Sequence, residues 1–257
     1  MLQVESLSVA IGTRSLLRDI SVSVAGGELL ALIGPNGAGK SSLIHAMIGD
    51  HRPDHGRILF DGRPLDSLQD RERACRIALL PQFSALSFPF TVRDVVMLGR
   101  GPHSAGVRAD ADIVDAALAA TDIQHLRTRL YTHLSGGEKQ RVQLARVMAQ
   151  IWREADAGTR LLLLDEPVAA LDLGHQQLIM TQVTALARAG VAVVMVLHDI
   201  SLAARHVDRM LALRDGMTVA QGTPADVVTT ATIQRLFDTE ARVIAHPDAG
   251  TPVVLHV

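Results

Sequence analysis

The chain has 257 residues, with 25 Lys and Arg against 27 Asp and Glu, and this formal net charge of −2 argues against a protein that coats nucleic acid. Its one cysteine, Cys75, excludes an intrachain disulfide and a cysteine-rich zinc site. The apolar runs are far shorter than the roughly 20 residues of a membrane helix, and the N-terminus lacks a signal-peptide pattern, so we expect neither secretion nor a membrane span.

The N-terminal part of the chain begins with strand patterns. Apolar and polar residues alternate over residues 2–9 and 20–24, which predicts two half-buried strands. Residues 28–33 form a nearly continuous apolar run, typical of a strand covered on both faces, and a helical pattern follows over residues 40–48. This order of strand, glycine-rich turn and helix is typical of the start of an α/β unit. Further strands are predicted at residues 57–60 and 76–80.

The middle of the chain, from about residue 91 to residue 152, has a mostly helical pattern without a convincing strand, which indicates a helical subdomain inserted into an α/β core. Strand and helix patterns then alternate, which predicts a parallel sheet. The predicted elements are helices at 92–98, 109–120 and 136–152, a strand at 160–164, a helix at 174–188, a strand at 191–197, a helix at 200–206, and hairpin strands at 210–214 and 217–221. Asp215 and Gly216 supply the turn signal of that hairpin.

Residues 34–41 match the full pattern of a phosphate-binding loop, G-x-x-x-x-G-K-[ST]. A chance match in a chain of this length has a probability of about one in a hundred, and this one follows an apolar strand and opens a helix. Glycines let the backbone approach a phosphate, Lys40 can pair with the β- and γ-phosphates, and the Ser41 hydroxyl suits Mg²⁺. The predicted contacts to a nucleoside triphosphate are Gly34, Pro35, Asn36, Gly37, Ala38, Gly39, Lys40, Ser41 and the following Ser42.

Polar side chains end two further apolar strands. Four leucines precede Asp165 and Glu166, and the run at residues 191–197 precedes His198. Because ligands bind at the carboxyl edge of open α/β sheets, Asp165 is predicted to hold Mg²⁺ and Glu166 to polarise the attacking water. His198 is predicted to hydrogen-bond the γ-phosphate. Each segment alone is also explained as a strand end or a cap, and the phosphate loop upstream favours the functional interpretation.

A second helix start of unusual composition lies at residues 135–137. Ser135 and Glu138 form a capping box, which is a sufficient structural explanation for the polar residues. Adjacent glycines in a first turn weaken a helix by up to about 1 kcal/mol each, so we interpret Gly136 and Gly137 as backbone that touches an anion. Two such helix starts indicate a nucleotide bound from two sides.

These segments resemble, in order and approximate spacing, the ATP-binding subunits of ABC transporters, and the resemblance covers essentially the whole chain. It implies an α/β fold: a P-loop NTPase (RecA-like) core with an N-terminal antiparallel β subdomain and an inserted α-helical subdomain. The implied boundaries are residues 1–87 and 158–257 for the core with its β subdomain, and residues 88–157 for the helical subdomain.

The resemblance also implies partners and further site residues. Gln82 would contact Mg²⁺, and the chain would form a head-to-tail homodimer in which residues 34–42 of one subunit and residues 135–137 of the other sandwich each ATP. Asp172 would lie across that interface. Hydrolysis would move transmembrane permease subunits at the cytoplasmic face of a bacterial inner membrane. The implied catalytic residues are Lys40, Glu166 and His198.

The chain departs from the family at two places. Many members have an aromatic residue near Ile11 that stacks on adenine, so the adenine contact here is expected to be weaker or purely apolar. After Pro167 members often have Thr-Ser or Thr-Asn, whereas this chain has Val168 and Ala169 and lacks those hydroxyls. The acids at the strand end are intact, so we expect ATPase activity.

Residues 95–103 and 165–176 look like the corresponding segments of importers for iron siderophores, cobalamin and haem. Residues 150–158 lengthen a connection as in haem-importer cassettes of Gram-negative bacteria, although an ordinary loop insertion has the same pattern. The resemblance therefore implies haem (hemin) import, with two permease subunits and a periplasmic haem-binding protein. An iron-siderophore or cobalamin importer is the alternative.

The sequence disfavours two other classes of function. Soluble ABC-type ATPases of repair or translation usually carry two cassettes or long coiled-coil insertions, and this chain has neither. A non-hydrolytic nucleotide-binding scaffold does not require Glu166. The permease is expected to contact a groove near residues 82–90, where the apolar residues 84–90 serve either that contact or ordinary packing.

Overall fold

The computed structural model describes residues 1–82, 86–153, 158–247 and 249–256, so parts of the predicted permease groove and of the 150–158 insertion lie outside the described residues. The strands are β1 (Leu2–Ile11), β2 (Arg14–Val24), β3 (Leu29–Ile33), β4 (His55–Phe60), β5 (Arg63–Pro64), β6 (Ile77–Leu80), β7 (Leu161–Asp165), β8 (Ala192–Val196), β9 (Arg209–Arg214), β10 (Met217–Gly222), β11 (Ala241–Ala245) and β12 (Pro252–His256). The α-helices are α1 (Lys40–Ile48), α2 (Asp70–Arg76), α3 (Val92–Met97), α4 (Val107–Ala120), α5 (Gly136–Gln150), α6 (Leu173–Arg188), α7 (Ile200–His206), α8 (Pro224–Val227) and α9 (Thr230–Phe237).

A six-stranded sheet in the order β10-β9-β3-β8-β7-β6 forms the centre of the molecule. Its strands run parallel from β9 to β6, and β10 is antiparallel to β9. Every residue of β3, β7 and β8 is buried, as their continuous apolar runs predict for strands covered on both faces. The parallel register therefore brings the carboxyl ends of these three strands to one edge.

Side chains of β3 alternate between two cores, because successive residues of a strand point to opposite faces. Leu29 and Ile33 belong to the core under α5, α6 and α7. Leu30 and Leu32 belong to the core shared with α1 and with the strands β1, β2 and β4. An antiparallel sheet in the order β2-β1-β4-β5 closes this second core.

The helices α3, α4 and α5 pack around a third core, which includes Val95, Leu118 and Val142. A separate core agrees with a helical part inserted between β6 and β7, as the sequence predicts. The boundaries at residues 88 and 157 stay a prediction. No helix within the described ranges combines the length and the apolar composition needed to cross a membrane.

The sequence pattern does not reveal α2, and the strand predicted from residue 76 begins at Ile77. The helix α2 buries none of its residues, so no apolar stripe marks it. Ion pairs run along it instead, from Arg73 to Asp70 at 3.0 Å and from Arg76 to Glu72 at 3.3 Å. The C-terminal elements α8, α9, β11 and β12 are likewise additions to the predicted set.

Candidate active site

The predicted functional segments meet at one edge of the central sheet because they follow adjacent parallel strands. The phosphate loop follows β3, Asp165 ends β7, and His198 lies two residues after β8. The strand β8 pairs with both β3 and β7. A cavity of about 830 Å³ opens at this edge, where ligands of α/β sheets bind. Its lining includes Lys40, Ser41, Ser42, Gln82, Glu166 and His198.

The loop at residues 34–39 requires glycine at its two ends. Gly34 has a φ of +141°, and a Cβ there would fall on the carbonyl oxygen of Leu213. Gly39 has a φ of +101°, and a Cβ there would lie 2.9 Å from the carbonyl oxygen of Leu16. Gly39 is also the N-cap of α1. No side chain of this cap occupies the N–H groups at the start of the helix. These N–H groups are therefore suited to an anion.

Replacing Gly34 with Ala is expected to lower the free energy of unfolding by about 3 kcal/mol, because backbone strain and a backbone clash act together. The melting temperature should fall by about 6–12 °C. Gly37→Ala is the matched control: its φ is +79°, but an added Cβ has no atom within 4 Å, so strain alone costs about 1 kcal/mol. Calorimetric melting without nucleotide checks both variants, and equal melting temperatures would contradict the close approach at Gly34.

Lys40 is buried, with 6% of its surface exposed. Its Nζ donates to the carbonyl oxygens of Gly34 at 2.8 Å and Pro35 at 2.9 Å, which folds the loop around the ammonium group. Burial lowers the pKa of Lys40 from its usual value, and the negative charges of Glu166 and Asp165 act in the opposite direction. The cation is thus held at the loop, where phosphate oxygens would lie.

Asp165 is 2% exposed, and its carboxyl group lies near the Ser41 side chain, which acts to lower its pKa. Burial raises the pKa of Asp165, and the neighbouring negative charge of Glu166 raises it further. Its Oδ1 is buried without a hydrogen-bond partner among the residues that the structure describes. A buried carboxylate oxygen without a partner requires compensation. A divalent cation held by Asp165, Ser41 and Gln82 would supply it, so these oxygen donors fit Mg²⁺.

Glu166 adopts a left-handed backbone conformation, with φ of +54°, which is rare outside glycine. Its Oε1 lies 2.6 Å from Nε2 of His198. The side-chain amide of Gln140, on α5, donates to the carbonyl oxygen of Glu166 at 3.4 Å. The Glu166 carboxylate therefore faces the cavity with an imidazole beside it, in a position to accept a proton from a water molecule there.

Six residues that line the cavity are absent from the predicted site: Arg14, Ser15, Leu16, Arg18, Asp215 and Gly216. They come from the start of β2 and from the turn between β9 and β10. Asp215 and Gly216 have a clear sequence signal, but it indicates only a hairpin turn. Ile11, expected to make an apolar adenine contact, is 59% exposed and does not line the cavity.

The second glycine-containing helix start lies apart from the cavity of its own chain. Ser135, Gly136, Gly137 and Asp172 are not among the lining residues. Ser135 caps α5: its Oγ accepts from the Glu138 N–H at 3.3 Å, and its own N–H donates to the Glu138 carboxylate at 2.7 Å. These hydrogen bonds lower the pKa of Glu138.

Packing at these glycines differs from one position to the next. A Cβ on Gly137 would lie 3.1 Å from the carbonyl oxygen of Ala170, whereas one on Gly136 would meet nothing within 4 Å. Asp172 caps α6 by accepting from the His175 N–H at 2.9 Å. Gly137 thus lies against the loop that leads to Asp172, and Gly136 is open to a further molecule.

The chain resembles known proteins both in its family and in individual relatives. A family model described as ABC transporter matches residues 17–169. The chain is 46% identical over 255 residues to the hemin import ATP-binding protein HmuV of Pseudomonas putida, which covers 99% of each chain. It is also 46% identical over 256 residues to the protein of that name from Myxococcus xanthus, covering 99% of this chain and 96% of the relative.

Solved structures share the fold. An ATP-binding subunit of an ABC transporter matches 93% of each chain with a TM-score of 0.79 at 24% identity. The dimeric structure of a bacterial ABC transporter cassette matches with a TM-score of 0.77 at 24% identity, covering 87% of this chain and 98% of the other. These likenesses confirm the predicted fold class, a P-loop α/β core with an antiparallel β part and a helical part.

Proposed function

This chain belongs to the ABC transporter family, and we propose that it is the ATP-hydrolysing subunit of a haem (hemin) import complex. The observation that carries the ATPase activity is the convergence of the phosphate loop and the Glu166–His198 pair on one cavity. The buried Asp165 does not line the cavity but directly precedes Glu166 at the same edge of the sheet. The proposed cargo is supported by relatives named for hemin import, which match the chain over nearly their whole length. An iron-siderophore or cobalamin cargo is the alternative.

In the proposed reaction, the triphosphate lies on the N–H groups at the start of α1 and against Lys40. Ser41, Asp165 and Gln82 would hold Mg²⁺, which would supply positive charge to neutralise the phosphate oxygens. Glu166 accepts the proton of the attacking water, and the 2.6 Å contact with His198 orients its carboxylate. His198 lines the same cavity, which supports the proposed hydrogen bond to the γ-phosphate.

The proposed active unit is a head-to-tail dimer. Residues 135–137 lie outside their own chain's cavity, with Gly136 open to solvent, so they suit a nucleotide bound to a second subunit. Leu173, next to Asp172, is 84% exposed, as expected of an apolar side chain that a partner covers. One solved cassette with the same fold is dimeric, which supports a dimer as the active unit.

The dimer predicts that ATPase activity rises more than linearly with protein concentration at high dilution, because a monomer lacks residues 135–137 of its partner. Rates should be measured over a range of dilutions, with the oligomeric state followed by light scattering. Gly136→Val is a useful variant, since its own chain leaves that position open. It should reduce activity without lowering ATP binding to the monomer. A specific rate independent of concentration in a confirmed monomer excludes the dimer.

The proposed complex contains two copies of this chain, two permease subunits and a periplasmic haem-binding protein, and the chain lies at the cytoplasmic face of a bacterial inner membrane. The permease contact is proposed near Gln82. Phe88 and Phe90 are exposed there, and apolar side chains on the surface of a protein mark contact sites for partners.

Transport of haem into vesicles that contain the reconstituted complex tests the cargo. We expect uptake that requires ATP and fails in a matched complex carrying Glu166→Gln. A ferric siderophore and cobalamin should be offered separately under the same conditions. Uptake of either one without haem uptake would replace the proposed cargo and leave the ATPase assignment standing.

A further inference from the structure

The wall of the cavity beside the phosphate loop is built by the start of β2 and by the turn at residues 215–216. The N–H of Arg18 donates to the carbonyl oxygen of Gly216 at 2.8 Å, and the N–H of Gly216 donates to that of Ala38 at 3.0 Å. Backbone hydrogen bonds therefore connect this wall directly to the phosphate loop. The position of this wall relative to the loop is set by the same hydrogen bonds.

We propose that Arg14 binds the base of the nucleotide by stacking its guanidinium group on the base. This rests on the proposed function, in which the cavity holds a nucleoside triphosphate. A planar guanidinium stacks on aromatic rings through cation–π and dispersion contacts. The base stacks on Arg14 at this wall while the triphosphate lies on the loop.

The composition of the cavity selects Arg14. Among the described residues that line it, none is Phe, Tyr or Trp, so an aromatic side chain does not offer a stacking surface there. Arg18 is restrained, because its Nε donates to Oγ of Ser15 at 3.1 Å. The Arg14 side chain is exposed and makes neither a hydrogen bond nor an ion pair within the described part of the chain. Its guanidinium is therefore free to meet a ligand.

The hairpin geometry explains why Arg14 and not Ile11 has this role. The two residues are directly paired across β1 and β2, so their side chains share one face of the hairpin. Arg14 lines the cavity, whereas Ile11 does not. The longer side chain reaches the site from the neighbouring strand.

Binding measurements with the full chain test the proposal, with the non-hydrolysable analogues of ATP and GTP and inorganic tripolyphosphate as ligands. Arg14→Ala should weaken both nucleotides by about 3- to 30-fold, the range expected for loss of one cation–π contact. Both purines should be affected alike, since stacking uses the face that every base has. Tripolyphosphate has no base, so its affinity should change less than about twofold.

Two variants separate stacking by Arg14 from a simple charge contact and from a base contact by Ile11. Arg14→Lys keeps the charge without the plane, so it should recover only part of the nucleotide affinity that Arg14→Ala loses. Ile11→Ala should bind them like the wild type, because Ile11 lies outside the cavity. Melting temperatures of all variants should match that of the wild type, since both positions are exposed.

Three results would overturn the proposal: equal loss of tripolyphosphate and nucleotide affinity, full recovery of nucleotide affinity in Arg14→Lys, or a nucleotide defect in Ile11→Ala with none in Arg14→Ala. The first two would make Arg14 a simple electrostatic contact. In each case a wild-type chain that binds nucleotide keeps its proposed function. A wild-type chain that binds neither nucleotide would refute the proposed function and the base contact together.

Discussion

Replacing Glu166 with Gln is expected to reduce ATP hydrolysis by at least about 100-fold, because general-base catalysis contributes roughly 10²- to 10⁴-fold and an amide does not accept the proton. The substitution keeps the size of the side chain. It also keeps an oxygen that can accept a hydrogen bond from Nε2 of His198, which lies 2.6 Å from the Glu166 carboxylate in the wild-type chain. ATP binding should therefore persist, and the dimer should accumulate in the ATP-bound form. Steady-state ATPase rates and ATP-dependent light scattering measure the two effects.

The matched control is Glu5→Gln. Glu5 lies on β1, outside the cavity, and pairs with Arg57 at 2.6 Å on the surface. An exposed ion pair contributes only about 0–1 kcal/mol, so this variant should hydrolyse ATP at the wild-type rate. Wild-type turnover in purified Glu166→Gln would remove the proposed base from the mechanism.

Replacing Lys40 with Ala is expected to weaken ATP binding by roughly 100-fold, because hydrogen bonds to a charged group contribute about 1.5–3 kcal/mol each and Lys40 is the buried cation of the loop. The change also removes the two bonds from Nζ to Gly34 and Pro35, so the loop loses its internal support. Calorimetric titration with ATP measures the affinity, and hydrolysis should fall with it.

Arg188→Ala serves as the control for the loss of one positive charge. Arg188 is exposed at the end of α6 and does not line the cavity, so its removal should leave ATP affinity unchanged. Circular dichroism should confirm that both variants are folded. Wild-type ATP affinity in a folded Lys40→Ala protein would rule out the proposed phosphate contact.

The central strands were predictable because burial on both faces leaves a continuous apolar run, as in β3, β7 and β8. The helix α2 was not, because it has no buried residue and therefore no apolar face that repeats with the helical period. The C-terminal hairpin β11–β12 was not predictable either, because some of its contacts join residues that are far apart in the chain. One of its contacts is the bond from the Val254 N–H to Oγ of Ser201 at 3.2 Å, between residues 53 positions apart.

By itself, the sequence determined the chemistry of the phosphate loop and of the strand ends. The roles proposed for Gly34, Lys40 and Glu166 depend on their own backbone conformation or side-chain type, and these are local properties. The tertiary structure alone decided that Arg14 and Asp215 complete the cavity and that residues 135–137 lie outside it. The physical reason is that these relations depend on strand order and register, which bring residues far apart in the chain into contact and leave no local pattern.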